Sequence, residues 1–293
     1  MEQSKHVKAE LVLLTLTAWW GGTFVVVKDA LDDADPVTLL ALRFGVAALA
    51  GLLMAKGKAF DRTVFVPGLI LGTLLFLGYQ LQTWGQVYTT PARSAFLTGL
   101  MVLLVPFVSP FIVKKWPSPF AFAGVGVASL GLFVMTGASF SGFGLGDVLT
   151  ILCAVAYAFH IALTEKFAPG RRPFGLLAAQ LWPTAVLCAL AYPFGPKHLH
   201  STPSLWAAIF ALGVLGSALA IGLQMWAQSR TSAVRAALIF ATEPVFAAGL
   251  SLALGREPYT KALGAGGALI VVGVLVGEVG GAWWGRRQAP AGT

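Results

Sequence analysis

The chain has 293 residues, a formal net charge of +8, 57% hydrophobic residues and only 11% Asp, Glu, Lys or Arg, with a mean hydropathy of +0.79. Water-soluble domains carry about 25% charged residues, so a compact soluble fold of this length has too few charges to cover its surface, and the same hydrophobicity excludes a disordered chain. The positive charge sits in short clusters between long apolar runs, a pattern of membrane orientation rather than of nucleic-acid binding.

A bilayer core about 30 Å thick takes roughly 20 helical residues. Ten apolar stretches of that length are predicted, at about 10–28, 36–55, 66–87, 92–113, 119–137, 147–165, 173–193, 204–228, 233–255 and 262–284. The first follows Lys5 and Lys8, contains Trp19 and Trp20 and has no A-x-A cleavage site, so it reads as a retained helix and not as a secretory signal. The connectors are short: a Gly/Ser loop at 139–146 (SFSGFGLG), a Pro/His-rich loop at 193–203 and a tail at 289–293. Cys153 and Cys188 fall inside apolar runs without spaced partners and read as small core residues. With a cytoplasmic N-terminus, fourteen Lys and Arg residues fall on the inner segments and five on the outer ones. That asymmetry predicts both termini inside the cell.

The chain also repeats itself. PVTLLALR from Pro36 matches PFGLLAAQ from Pro173 at an offset of 137, and QTWGQ from Gln82 matches QMWAQ from Gln224 at an offset of 142, which places Arg93 on Arg235. Pro106 and Pro244 mark the fourth helix of each copy. The expected organisation is one five-helix unit at 1–137, a linker at 138–146 and a second unit at 147–293. Because five is odd, the second copy enters the membrane from the opposite side. The fold class is therefore an all-α polytopic membrane protein of ten helices in two inverted five-helix repeats, an arrangement that permits alternating access to a site near the midplane.

Trp20-Gly21-Gly22-Thr23-Phe24, Arg43-Phe44, Glu243-Pro244 and Gly255-Arg256-Glu257, in that order and on those helices, resemble the EamA branch of the drug/metabolite transporter superfamily. Within it the chain is most similar to the bacterial YddG-type exporters of aromatic and neutral amino acids. The resemblance implies a multi-pass protein of the bacterial inner membrane that exports small metabolites, foremost aromatic or hydrophobic neutral amino acids, with other metabolites or drugs as the alternative cargo. It implies neither catalysis nor a cofactor. One chain already holds both halves of a carrier, so a monomer suffices. The first copy has Val105-Pro106 where the second has Glu243-Pro244, so a role for that acid exists in one half only.

Polar side chains are costly inside hydrocarbon and those that persist face a cavity or a partner. Arg43 either holds a substrate carboxylate through its planar fork or ties helices together, snorkelling toward the outer end. Glu243 is read as a proton-coupling acid or as a helix-packing hydrogen-bond partner. Tyr79, Gln82 and Gln86 share a helix face, as do Gln224 and Gln228; they line a wet path or join helices. Trp20 and Tyr157 are repeat equivalents at mid-depth and, with His160, Trp182 and Gln180, complete the predicted substrate-binding set. Pro106 and Pro244 are hinge candidates or static kinks. Gly68-x3-Gly72 and Gly273-x3-Gly277 read as close-packing contacts.

Other classes fit less well. There is no H-E-x-x-H or G-x-S-x-G for an intramembrane enzyme, and the order of the segment from Gly51 to Lys58 breaks the phosphate-loop pattern. His198 and His200 alone are a weak metal signal. Neither charged rings nor a repeated filter loop points to a channel.

Overall fold

The computed structural model describes residues 2–56, 61–135, 143–256 and 258–288. Lys58, Glu257, the tail at 289–293 and residues 138–142 of the linker, with Ser141, lie outside them.

Ten helical segments follow one another: α1 (Glu2–Asp33), α2 (Pro36–Ala55), α3 (Arg62–Val87), α4 (Pro91–Val113), α5 (Pro119–Met135), α6 (Leu145–Phe167), α7 (Pro173–Ala191), α8 (Pro203–Gln228), α9 (Ala233–Ala253) and α10 (Lys261–Gln288). Among the described residues, nine of these ten are long and apolar enough to cross a membrane, and α5 is a shorter apolar helix. Among the described residues no β-strand forms; an isolated bridge joins Ala34 to Leu199. The starts follow local rules. Asp35, Asp61, Thr90, Thr202 and Ser232 accept from backbone N–H groups of the first turns of α2, α3, α4, α8 and α9, and prolines occupy the first positions of α2, α4, α7 and α8, where their missing N–H costs nothing.

Three helices are irregular where they meet the centre. α4 breaks at Leu100 between Pro91–Gly99 and Met101–Val113. α9 breaks at Ala241 and Thr242 between Ala233–Phe240 and Glu243–Ala253. The breaks at Leu100 and Thr242 keep the offset of 142, although their prolines do not. Pro244 adjoins the α9 break, whereas Pro106 lies six residues past the α4 break. The interruption of α4 thus falls at Leu100 and not at Pro106; there Leu100 and Leu103 form tight three-residue bonds to Leu97 and Leu100. The third irregularity is a π-helical stretch of α8, Ala211–Leu219.

Packing pairs α5 with α10 and α2 with α7; α3 lies on α6 and α7, α8 on α1 and α2, α4 on α6 and α9 on α1. Small residues permit the closest approaches. A Cβ at Gly131 would stand 2.6 Å from Ile270 N and 2.7 Å from Gly266 O, so α5 and α10 touch backbone to backbone. Gly72 meets Gln180 and Pro183, and Gly273 meets Ala128, in the same way. Two main cores result. One draws on α1, α4, α5, α6, α8, α9 and α10, the other on α2, α3, α6, α7 and α8. Trp20 and Tyr157 border both.

Glu10 of α1 and Glu278 of α10 both approach Arg235 at the turn after α8; that side of the bundle, with the turns after α2, α4 and α6, is here called the terminal face, and the opposite side the far face. On the far face the 193–203 loop meets the α1–α2 turn, with Asp35 N donating to His198 O at 3.1 Å.

Candidate functional site

Where the two cores meet, a small central cavity opens between α1, α3, α4, α6, α8 and α9. Its walls include Trp20, Phe24, Tyr79, Tyr157 and Phe240, with Gln82, Thr98, His160, Gln224 and Glu243 as polar points. The aromatic rings brace one another edge to face: Trp20 on Phe240 at 5.6 Å, and Tyr79 on Tyr157 at 5.7 Å and on Phe44 at 4.8 Å.

Trp20 is fixed by an irregularity elsewhere. Its Nε1 donates to Gly216 O at 2.9 Å, a carbonyl within the π-helical stretch of α8, where widened turns leave acceptors for neighbours. Gly21 lets α1 reach the broken helix, since a Cβ there would lie 2.8 Å from Glu243 O and 2.9 Å from Ala247 N. Gly78 plays the same part beside Tyr157, whose ring would be 2.3 Å from an added Cβ.

The polar groups are mostly engaged. Gln82 Nε2 donates to Thr98 Oγ1 at 3.2 Å, and His160 Nε2 lies 2.9 Å from Gln180 Oε1. Gln224 Nε2 donates to Gln228 Oε1 at 2.8 Å, and Gln228 Nε2 to Ile161 O. Gln228 also borders a second hollow on the terminal face, lined by Glu165, Arg230 and Arg235. One turn of α8 thus separates the central cavity from that hollow. Glu165 Oε2 accepts from Ser109 Oγ at 3.1 Å and from Ala233 N at 2.9 Å, joining α4, α6 and α9 at the same level.

Of the residues singled out from the sequence, the structure brings Trp20, Tyr79, Gln82, Tyr157, His160, Gln224 and Glu243 to the cavity. It does not bring Trp182, which is 43% exposed on the outside of the bundle; Gln180 and Thr184 take the inward face of α7, and a position two residues from Gln180 points the other way. Gln180 is fully buried behind His160. Arg43 is corrected as well. It is 2% exposed and does not snorkel: its Nε donates to Ser217 Oγ at 3.0 Å, and its guanidinium lies 4.5 Å from the Tyr79 ring centroid. It stands behind Tyr79 and ties α2 to α8. For Glu243 the helix-packing partner is missing, for no hydrogen bond to its carboxylate occurs among the described residues.

Sequence reasoning passed over Thr98, Met101, Phe240 and Ser217. Phe240 stands three residues before Glu243 and was findable by helical spacing; Ser217 was not, because the π-helical stretch shifts its face.

The EamA-like transporter family model matches residues 7–137 and again 144–277. An uncharacterized transporter of Archaeoglobus fulgidus is 31% identical over 275 residues, covering 94% of this chain and 87% of its own. YyaM of Bacillus subtilis, an uncharacterized transporter, is 27% identical over 92% of this chain and 93% of its own. The uncharacterized inner membrane transporter YedA of Escherichia coli K12 is 24% identical over 85% of this chain and 83% of its own. A crystal structure 22% identical in sequence covers 94% of this chain and 99% of that one with a TM-score of 0.79, the same fold.

Proposed function

Because the chain belongs to the EamA-like transporter family and is a multi-pass membrane protein, we propose that it exports small organic metabolites by alternating access, foremost amino acids with aromatic or hydrophobic neutral side chains. The observation that carries this reading is the central cavity at the junction of the two cores, walled by Trp20, Tyr79 and Tyr157 and furnished with neutral hydrogen-bonding groups. Aromatic walls suit an apolar side chain. The cavity lining holds no Lys or Arg among the described residues, whereas the phosphates of a nucleotide sugar want several.

The inverted five-plus-five arrangement belongs to the same proposal, with units at 1–137 and 147–293. The family model's two matches support it. So does the packing, which keeps its pattern when each of α1 to α5 is exchanged with its counterpart among α6 to α10. Related halves able to trade conformations give two states of one site. We place the termini in the cytoplasm on the Lys/Arg asymmetry, and the protein in the inner membrane by its likeness to YedA.

The test is a substrate panel on purified protein in liposomes. Phenylalanine, tryptophan, methionine or threonine should show saturable counterflow, with aspartate and nucleotide sugars excluded. Robust nucleotide-sugar exchange overturns the substrate class, and flux that neither saturates nor supports counterflow overturns the carrier.

A further inference from the structure

Among the described residues that line the cavity, Glu243 is the one carboxylate and there is no Lys or Arg. Glu243 lines the cavity at the start of the second half of α9 and is 6% exposed. No hydrogen bond to its carboxylate occurs among the described residues. Arg43 is not among the residues that line the cavity; its Nε donates to Ser217 Oγ, and its guanidinium lies 4.5 Å from the Tyr79 ring centroid. Tyr79 and Tyr157 line the same cavity, and Phe240 and Trp20 complete its aromatic wall.

An ionised carboxylate removed from water without donors is among the costliest groups a protein can bury, and the cost is relieved by a proton or by a cation. A protonated amine brings three N–H donors and a positive charge in one compact head. Aromatic faces around the acid add attraction for that same charge. An anion in the same space meets the acid with no Lys or Arg lining the cavity to offset the repulsion.

We propose that Glu243 is the ammonium subsite of the central cavity, so that the ligand class is a protonated amine on an aromatic or apolar body, a ligand carboxylate being tolerated but not required. The proposal rests on the transport reading above and sharpens it. An amino acid is held by its amine end, while its carboxylate has only neutral donors such as Gln82 to meet.

Isothermal titration of the purified full chain in detergent with four phenyl compounds tests it: phenethylamine, phenylalanine, 3-phenylpropan-1-ol and 3-phenylpropanoate. Phenethylamine should bind about tenfold or more tighter than the alcohol, as a charge-assisted buried contact provides, with the acid weakest. Glu243→Gln should bring the amine within about twofold of the alcohol, and Glu243→Asp should retain the preference for the amine. The wild-type series stands without either variant should one fail to fold. Equal affinity for amine and alcohol, or an amine preference that survives Glu243→Gln, overturns the subsite while leaving the cavity as the transport site. Failure of all four compounds to bind overturns the cavity reading and the subsite with it.

Discussion

On the far face, Arg93 at the start of α4 grips Asp147 at the start of α6 through Nε at 2.6 Å and Nη2 at 2.9 Å; on the terminal face, Arg235 at the start of α9 stands 3.4 Å from Glu10 of α1 and 3.6 Å from Glu278 of α10. The two pairs correspond, for Arg93 and Arg235 are 142 residues apart, and Glu10 and Asp147 are 137 apart. Their settings differ. Asp147 is almost fully buried and also accepts from Gly144 N, and Lys28 reinforces the same face by donating to Gln86 O and Thr89 O. Glu10 and Arg235 are partly exposed, and Arg235 borders the terminal-face hollow. Short, desolvated, bidentate contacts are the strong kind, and long, partly hydrated ones are weak. Of the two corresponding pairs, the far-face one is the more tightly fastened.

The largest effect belongs to Asp147→Asn. Loss of the charged acceptor should weaken far-face closure by about 1–3 kcal/mol. In a background lacking Cys153 and Cys188, a cysteine placed at Thr98 should then react about tenfold faster with an impermeant maleimide added from the far face. An unchanged rate would show that this pair does not hold the mouth. Glu10→Gln is the matched change on the terminal face. Because its bond is long and Arg235 keeps Glu278, we expect a cost of about 0–1 kcal/mol and a change in labelling from that face of about twofold or less. Equal effects at Asp147 and Glu10 would abolish the contrast. Smallest is Arg256→Ala, which removes a bidentate but exposed pair with Asp29; cavity labelling from either face should stay within about twofold of wild type.

How much of this was legible in the chain depends on what sets each feature. The ten helical segments follow from runs of apolar residues about as long as a bilayer is thick, and their prolines and Asp, Ser or Thr caps are local chemistry. The aromatic wall of Trp20, Tyr79 and Tyr157 was within reach, since polar and aromatic residues at mid-depth are costly against lipid and cheap against one another. Arg43 misled because snorkelling is judged from distance along one helix, whereas its burial is decided by the Ser217 hydroxyl of another. Pro106 alone did not show where α4 is interrupted, because a proline frees a carbonyl without saying where the chain bends. Gly99 and Leu100 yield instead, at the position opposite the α9 break in the offset register.

The amino-acid sequence by itself determined which segments are helices, that the chain is a membrane protein, and that its parts recur at offsets of 137 and 142, because hydrophobic length, capping and repetition are properties of neighbours along the chain. Only the tertiary structure decided that Trp182 faces outward, that Arg43 is tied to Ser217, that Glu243 has no hydrogen-bond partner among the described residues, and that the Arg93 pair is short while those of Arg235 are long. These depend on which face of each helix meets another. That choice is made by backbone-to-backbone approaches at Gly21 and Gly131 and by the break and π-helical turns of α9 and α8, over separations in sequence that local periodicity does not register.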